Sequence, residues 1–412
     1  MPGSSTDKSE MSPGVTADSV KVVFIGTDLS KTASLTGFKD PDVGDPRKQV
    51  EALATYVNAH GGIAGRKLDA VYENYEASAD SPAAETTLCS KITQDDKAFA
   101  VVLTGQLQSN ARPCYAQRRT LMLDATLIAN DQGTFTSLAP YLWTGSYPEY
   151  TAFATSFLDV LGREKFFGGR SVAGIVAADS PANRAVYEKV VTPALKKLGV
   201  AGTVGWIDTT DLGTLNTGLN QAAVNFRGKS IDRVFFLGGA RIAPFFMTTA
   251  AAQNFTARYG VSTFDNPSFM VANPGTIPPG ALKGMVGIGF APALDVPDTA
   301  LPFPSTDAER NCQGIYAAAG ISFKQRENAR VAFAYCDAAL LLQAGARDVG
   351  ELTAASWGRG AQALGTSFQT ATGFGGELGP SLYAAGSGYR VLKYDDGCPC
   401  FTYAGGVTDV GA

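Results

Sequence analysis

Tyr56-Val57-Asn58-Ala59-His60-Gly61-Gly62-Ile63-Ala64-Gly65-Arg66-Lys67-Leu68 decides the fold, because it closes a helix and opens a strand. On its N-terminal side, Pro46–His60 carries Val50, Leu53, Ala54 and Val57 at i, i+3, i+4 and i+7, one apolar face of a helix. Gly61 stands where a helix C-terminus takes a left-handed cap. On its C-terminal side, Leu68–Tyr75 reads as a strand. The glycines look superficially like a dinucleotide-binding loop. Such a loop must follow a strand and open a helix, and this one does the reverse, so it serves as a helix stop and a tight turn.

Working outward, strand and helix signals alternate. Val22–Gly26 is a short apolar run ending in glycine, as for a buried parallel strand. After Leu68–Tyr75 come a helix over Ala83–Thr93, a strand over Phe99–Leu103, a helix over Ala111–Arg118 and a strand at Leu121–Leu123. The pattern restarts at Tyr150–Leu161, whose Phe153, Phe157 and Leu161 share a helix face. It continues with strand Val172–Ala177, helix Ala182–Leu198 kinked at Pro193, strand Val204–Ile207, helix Leu215–Phe226, strand Val234–Leu237, helix Pro244–Gln253 and a strand over Phe269–Ala272. Two similar blocks, Val20–Leu142 and Tyr147–Ala272, thus predict an α/β fold of two doubly wound lobes. The remainder, with a strand at Met285–Phe290 and helices over Asp307–Ala319 and Ala329–Ala346, is too little for a third core. It is expected to complete the two lobes through a hinge of several crossings. The predicted division is a linker over 1–19, one lobe from 20–142 and 280–365, and the other from 146–275 and 370–412.

Composition narrows the function. A chain of 412 residues exceeds what one core holds. The net charge of −4 and the lack of any Lys/Arg run argue against nucleic acid. No apolar stretch has the length of a membrane span. Met1–Ser19 is polar and reads as the flexible linker of an exported protein whose signal peptide has been removed, as in a periplasmic or cell-surface lipoprotein. With one histidine, His60, no zinc site, catalytic thiol or Ser-His-Asp triad is expected, nor any metal or cofactor. Gly228-Lys229-Ser230 lacks the first glycine of a phosphate loop, since Ala223 stands there. No G-x-S-x-G elbow occurs. Asp28, Asp124, Glu149 and Asp179 fall near strand ends and read as caps and loop polar groups rather than as acid–base pairs. The six cysteines, Cys89, Cys114, Cys312, Cys336, Cys398 and Cys400, fit disulfides in an oxidising compartment, with the connectivity open.

In open α/β sheets, ligands bind beyond the carboxyl ends of the strands. Those loops here are Thr27-Asp28-Leu29-Ser30, Thr104–Ser109 with Gln106, Leu107 and Gln108, and Ala125-Thr126-Leu127. In the second block they are Asp179–Asn183, Gly238-Gly239-Ala240-Arg241 and Asn273-Pro274-Gly275. Their small and hydroxyl residues expose backbone N–H groups suited to a carboxylate or another polar acceptor. Tyr141, Trp143, Tyr147 and Tyr150 cluster at the first crossing, where they can line a cleft or pack a core.

The Asn58-x-x-Gly61-Gly62-Ile63-x-Gly65-x-x-Leu68 element resembles the type I periplasmic solute-binding proteins of ABC transporters, the leucine/isoleucine/valine-binding-like receptors. The resemblance runs from Val20 through the C-terminal region. It implies two lobes joined by three crossovers that close on a small molecule, an ABC permease as membrane partner, a monomer, and no catalysis. It implies a Cys89–Cys114 disulfide. It also implies that Ser109 and the Ala125-Thr126 turn hold a ligand carboxylate, with Asp179–Asn183, Gly239–Arg241 and Asn273 contributing from the second lobe. This chain departs from the family's amino-acid receptors. Ser180-Pro181-Ala182-Asn183 stands where they often show Tyr-Gly, and the Asn273 loop has no acidic residue to meet an ammonium. A carboxylate-bearing aromatic or alicyclic ligand is therefore preferred over an amino acid. The alternative expectation is a ligand-sensing ectodomain that signals to a membrane partner.

Overall fold

A computed structural model describes residues 12–39 and 41–411. The deciding stretch folds as a clamp. The helix Pro46–Ala59 ends with the Gly62 amide donating to the Val57 carbonyl, and Gly61 and Gly62 both take positive φ. A Cβ on Gly62 would lie 1.9 Å from the Arg66 carbonyl oxygen, so glycine is required there. Ile63 is fully buried. The Asn58 side chain then holds Leu68 from both sides, accepting from its amide at 2.6 Å and donating to its carbonyl at 3.1 Å. The strand is thereby fixed to the helix that precedes it.

The first sheet contains β1 (Ser19–Asp28), β2 (Lys67–Glu76), β3 (Ala100–Leu103), β4 (Leu121–Asp124) and β5 (Leu142–Trp143), all parallel in the order 2-1-3-4-5. The second contains β6 (Val172–Ala178), β7 (Ala201–Ile207), β8 (Arg233–Leu237), β9 (Arg258–Ser262), β10 (Val286–Gly289), β11 (Gly388–Asp395) and β12 (Cys400–Asp409). Its order is 12-11-10-9-8-6-7. The parallel part, 7-6-8-9-10, repeats the order of the first sheet, and β11 and β12 add an antiparallel edge. Both faces of the central strands are buried, so they read as continuous apolar runs. On β1, Val22 and Phe24 face one core layer while Val23 and Ile25 face the other. On β8, Phe235 and Leu237 alternate in the same way with Val234 and Phe236.

The chain passes between lobes three times: after β5, after β10 and before β11. The first and third passages lie side by side. Thr144 bridges Ala384, the Ala385 amide donates to the Thr144 carbonyl, and the Gly386 amide to that of Tyr147. Asp337, on the helix Arg330–Gly345, pins both. It accepts from the hydroxyls of Thr370 and Thr372, each at 2.6 Å, from the amides of Ala371 and Thr372, and from Ser146 at 3.4 Å. The second passage starts beside Asp295, which accepts from Thr263 at 2.9 Å, Tyr403 at 2.7 Å and the Ala291 amide at 3.1 Å.

Several expectations shift. The strand expected over Phe269–Ala272 is a helix, Pro267–Ala272, and the strand is β9 just before it. Pro267 opens that helix, a position where its missing N–H costs nothing. β10 joins the second sheet, whereas the sequence places 280–365 in the first lobe, and Ala371, Leu378 and Ala385 pack on the first core, whereas the sequence places 370–412 in the second. The expected linker over 1–19 does not reach Ser19. Val15 is buried and bridges Val20, and the Lys21 amide donates to Gly14, while 1–11 lie outside the described residues. The disulfides pair sequence neighbours. Cys89–Cys114 and Cys312–Cys336 each join two helices, and Cys398–Cys400 spans the β11–β12 turn.

Candidate functional site

Each sheet has one point where the strand order reverses, between β1 and β3 and between β6 and β8, and the loops diverge there. At the first, the Thr27 hydroxyl donates to the Thr104 carbonyl at 2.7 Å and Thr27 lies against Gly105. At the second, the Asn183 amide donates to the Ala178 carbonyl at 3.0 Å and lies against Gly238. The two points face each other across a closed cleft. The Gln108 side chain donates to the Thr209 carbonyl at 3.0 Å. Arg241 donates to the same carbonyl at 3.0 Å and pairs with Asp80 at 3.2 Å. Gly239, at φ +106°, brings its backbone against the Leu127 carbonyl. The Lys39 amide donates to Asn273 at 2.7 Å.

Below the first-lobe loops lies a buried ion pair. Arg112 donates through Nε to Asp124 at 2.8 Å and through Nη2 to Asp124 and Thr126. Asp124 also accepts from the Thr126 amide and hydroxyl and from Asn130 at 3.0 Å. A charge removed from water survives only when paired and hydrogen-bonded, and here both conditions hold. The pair holds the turn at Ala125-Thr126 in place, and Arg112 also donates to the Gln108 carbonyl at 3.4 Å. A small cavity beside it is lined by Glu85, Gln106, Gln108, Arg112 and Tyr115. Burial drives the Glu85 carboxyl up to about 8, with Arg112 pulling the other way.

The structure does not gather all the expected residues. Gln108, Thr126, Tyr147, Gly239, Arg241 and Asn273 lie at the lobe junction. Tyr147 lines a second small cavity with Asp124, Thr126, Asn130 and Phe264. Tyr150 instead packs in the second-lobe core against Phe153 and Phe264. Asp179 forms a bidentate pair with Arg184 on the adjacent helix, half exposed. Asp28 caps Ser30, and Ser109 is exposed. Leu107 and Ala240 are partly buried, Gln106 and Ala125 buried. Trp143 belongs to the first core, edge-on to Trp357 and Tyr383. Glu149 is a helix cap, accepting from the amides of Thr151 and Ala152. Junction residues outside the sequence expectation include Phe38, whose ring packs on Phe245 and Phe269, with Lys39, Asp80 and Thr209. Asp80 and Thr209 follow β2 and β7, so the rule that placed the other loops reaches them as well.

This arrangement presents two largely buried cations, Arg112 and Arg241, with backbone acceptors and aromatic walls. Among the described residues, no group of three or more His, Cys, Asp or Glu side chains is placed to hold a metal ion. No helix among them is long and apolar enough to cross a membrane.

A periplasmic binding protein family model matches residues 33–387. No curated protein matches the chain. Solved structures share the fold. A branched-chain amino acid ABC transporter protein from Thermus thermophilus with bound valine is 13% identical, with 96% of this chain and 97% of that chain covered and a TM-score of 0.62. A solute-binding protein of an ABC transporter from R. palustris in complex with 4-hydroxybenzoate is 12% identical, with 96% and 98% covered and a TM-score of 0.63. A fatty acid ABC transporter substrate-binding protein from Thermomonospora curvata is 15% identical, with 97% and 93% covered and a TM-score of 0.62.

Proposed function

Since this chain belongs to the periplasmic binding protein family, we propose that it is the extracytoplasmic solute-binding component of an ABC importer, closing its lobes on a carboxylate-bearing aromatic or alicyclic molecule. The observation that carries the ligand class is Arg241. Its guanidinium is largely buried where the lobes meet, with its side chain 13% exposed. Burial lowers its proton affinity, and the nearby Asp80 carboxylate partly restores it. Nη2 alone makes the contacts to Asp80 and Thr209. The Nε–H and Nη1–H groups remain, and each can donate a charge-assisted hydrogen bond to a ligand carboxylate. Tyr147 and Phe264 supply apolar walls, with Thr126 and Asn130 as polar groups of the same cavity. The solved proteins holding valine and 4-hydroxybenzoate both carry carboxylate ligands.

Capture needs no chemistry in this reading. Loops of one lobe receive the ligand, closure adds the second lobe and excludes water, and the closed outline is what a permease recognises. The test is a thermal-shift screen followed by calorimetric titration, using benzoates, alicyclic acids, branched-chain and aromatic amino acids, and sugars. A carboxylate at 100 times its Kd should stabilise the protein by about 2.7 kcal/mol. Arg241→Ala should remove most of that binding, and Arg241→Lys should restore only part, because a single ammonium cannot hold Asp80 and Thr209 and still donate from separate nitrogens to a ligand. A strong hit on uncharged sugars, or full binding by Arg241→Ala, refutes the assignment.

A further inference from the structure

The closed cleft is held at two places by the protein itself. In the first, Phe38 leaves the first lobe and enters the second. Its ring lies 5.3 Å from that of Phe245 and 5.0 Å from that of Phe269, and it is counted in the second-lobe core with 7% of its surface exposed. The backbone on both sides is tied down. The Gly37 carbonyl accepts from Thr276 at 3.4 Å, and the Lys39 amide donates to the buried Asn273 side chain at 2.7 Å. In the second place, Asp80 meets Arg241. Asp80 is held ready by Tyr75 and Gln108, each donating at 2.8 Å, and its side chain is 1% exposed. Gln108 and Arg241 then converge on the Thr209 carbonyl.

We propose that Phe38 and the Asp80–Arg241 pair form a latch that closes the lobes before ligand arrives, so that these residues set affinity by setting the population of the closed state. The inference rests on the hinged-capture reading. Opening the lobes would strip Phe38 of both ring neighbours and expose the pocket between Phe245 and Phe269 to water. It would also leave Asp80 and Arg241 without each other. A phenylalanine buried by closure shifts the open-to-closed ratio by about tenfold or more. Apparent affinity scales with the closed fraction, so binding weakens once loosening the latch brings that fraction well below one. Ligand also has to enter through a cleft that is mostly shut, and loosening the latch should therefore speed association while raising Kd.

Small-angle X-ray scattering on the ligand-free protein tests this without knowing the ligand. The wild type should be compact, and Phe38→Ala should show a larger radius of gyration, with Asp80→Asn shifting in the same direction. Near-UV circular dichroism checks that each variant keeps its core. If Phe38→Ala fails to fold, Asp80→Asn decides, because it keeps the shape of the side chain while removing its charge and one of its acceptor oxygens. A ligand-free wild type no more compact than the variants overturns the latch. A ligand panel without hits, beside a clear change in scattering, would count against the ligand class and leave the latch standing.

Discussion

At the scale of single residues, two positions at the junction separate packing from charge. Gly239 carries φ +106°, which L side chains rarely adopt, and an added Cβ would lie 2.9 Å from the Leu127 carbonyl oxygen of the opposite lobe. Gly239→Ala is expected to hold the lobes apart. Scattering should show a larger particle and titration a Kd raised about tenfold or more, with an intact far-UV spectrum. An unchanged Kd would mean that the lobes close without this contact. Asp124 has a different task, since it compensates a buried arginine. Asp124→Ala leaves Arg112 charged and unpaired in the first lobe and should cost about 3–5 kcal/mol, read by urea denaturation. A loss below about 1 kcal/mol would show that water reaches Arg112. The sequence marked Asp124 as a loop polar group near a strand end. Its partner could not be read, because Arg112 lies on a separate helix and meets it only through the sheet.

Among the elements, the passages between lobes are bound to buried carboxylates. Asp337 holds two threonine hydroxyls and two backbone amides of the third passage and reaches Ser146 of the first. Asp337→Ala orphans these donors in a dry site and should destabilise the protein by about 3 kcal/mol or more. It should also increase hydrogen exchange at the amides of Ala371 and Thr372, and unchanged exchange at those two would rule out the pinning role. The misread element shows where local signals fail. Phe269–Ala272 is four residues with mostly apolar side chains, and so short a run fits strand or helix equally. Pro267 was the available sign of a helix start. The π-turn at Tyr187–Val191, just before Pro193, shows the expected kink taken up by widening the helix rather than ending it.

For the whole molecule, the buried acids set the pH response. Burial raises Asp337 to about 6, Asp295 to about 7, and Asp265 and Glu85 each to about 8. Their hydrogen-bond donors oppose that rise without cancelling it. In the unfolded chain such groups titrate near 4. Between about pH 4 and pH 8 the folded state therefore binds more protons than the unfolded one, and stability falls as pH rises. The melting temperature should be higher at pH 5 than at pH 8, and Asp295→Asn should flatten part of that slope. Asp28, Glu76 and Asp211 are shifted down by hydrogen bonds, so their contribution is lost only as pH falls below about 4. A melting temperature that climbs from pH 5 to pH 8 would contradict this account.

What can be read along the chain is its periodicities, and these are local. A helix face repeating every three to four residues, apolar runs buried on both sides and glycines at turns sufficed to place two α/β blocks and the order of nearly all their elements. Asn58 and Leu68, ten residues apart, belong to the same category, since their clamp closes within one helix–turn–strand unit. Contacts across long separations emerge only once the lobes are packed. Asp80 faces Arg241, Phe38 reaches Phe269, and β10 joins the sheet of β9 rather than that of β1. No spacing rule encodes such contacts. Each depends on how two lobes are oriented by three passages whose partners, Thr144 with Ala384 and Asp337 with Thr370, lie far apart in the chain.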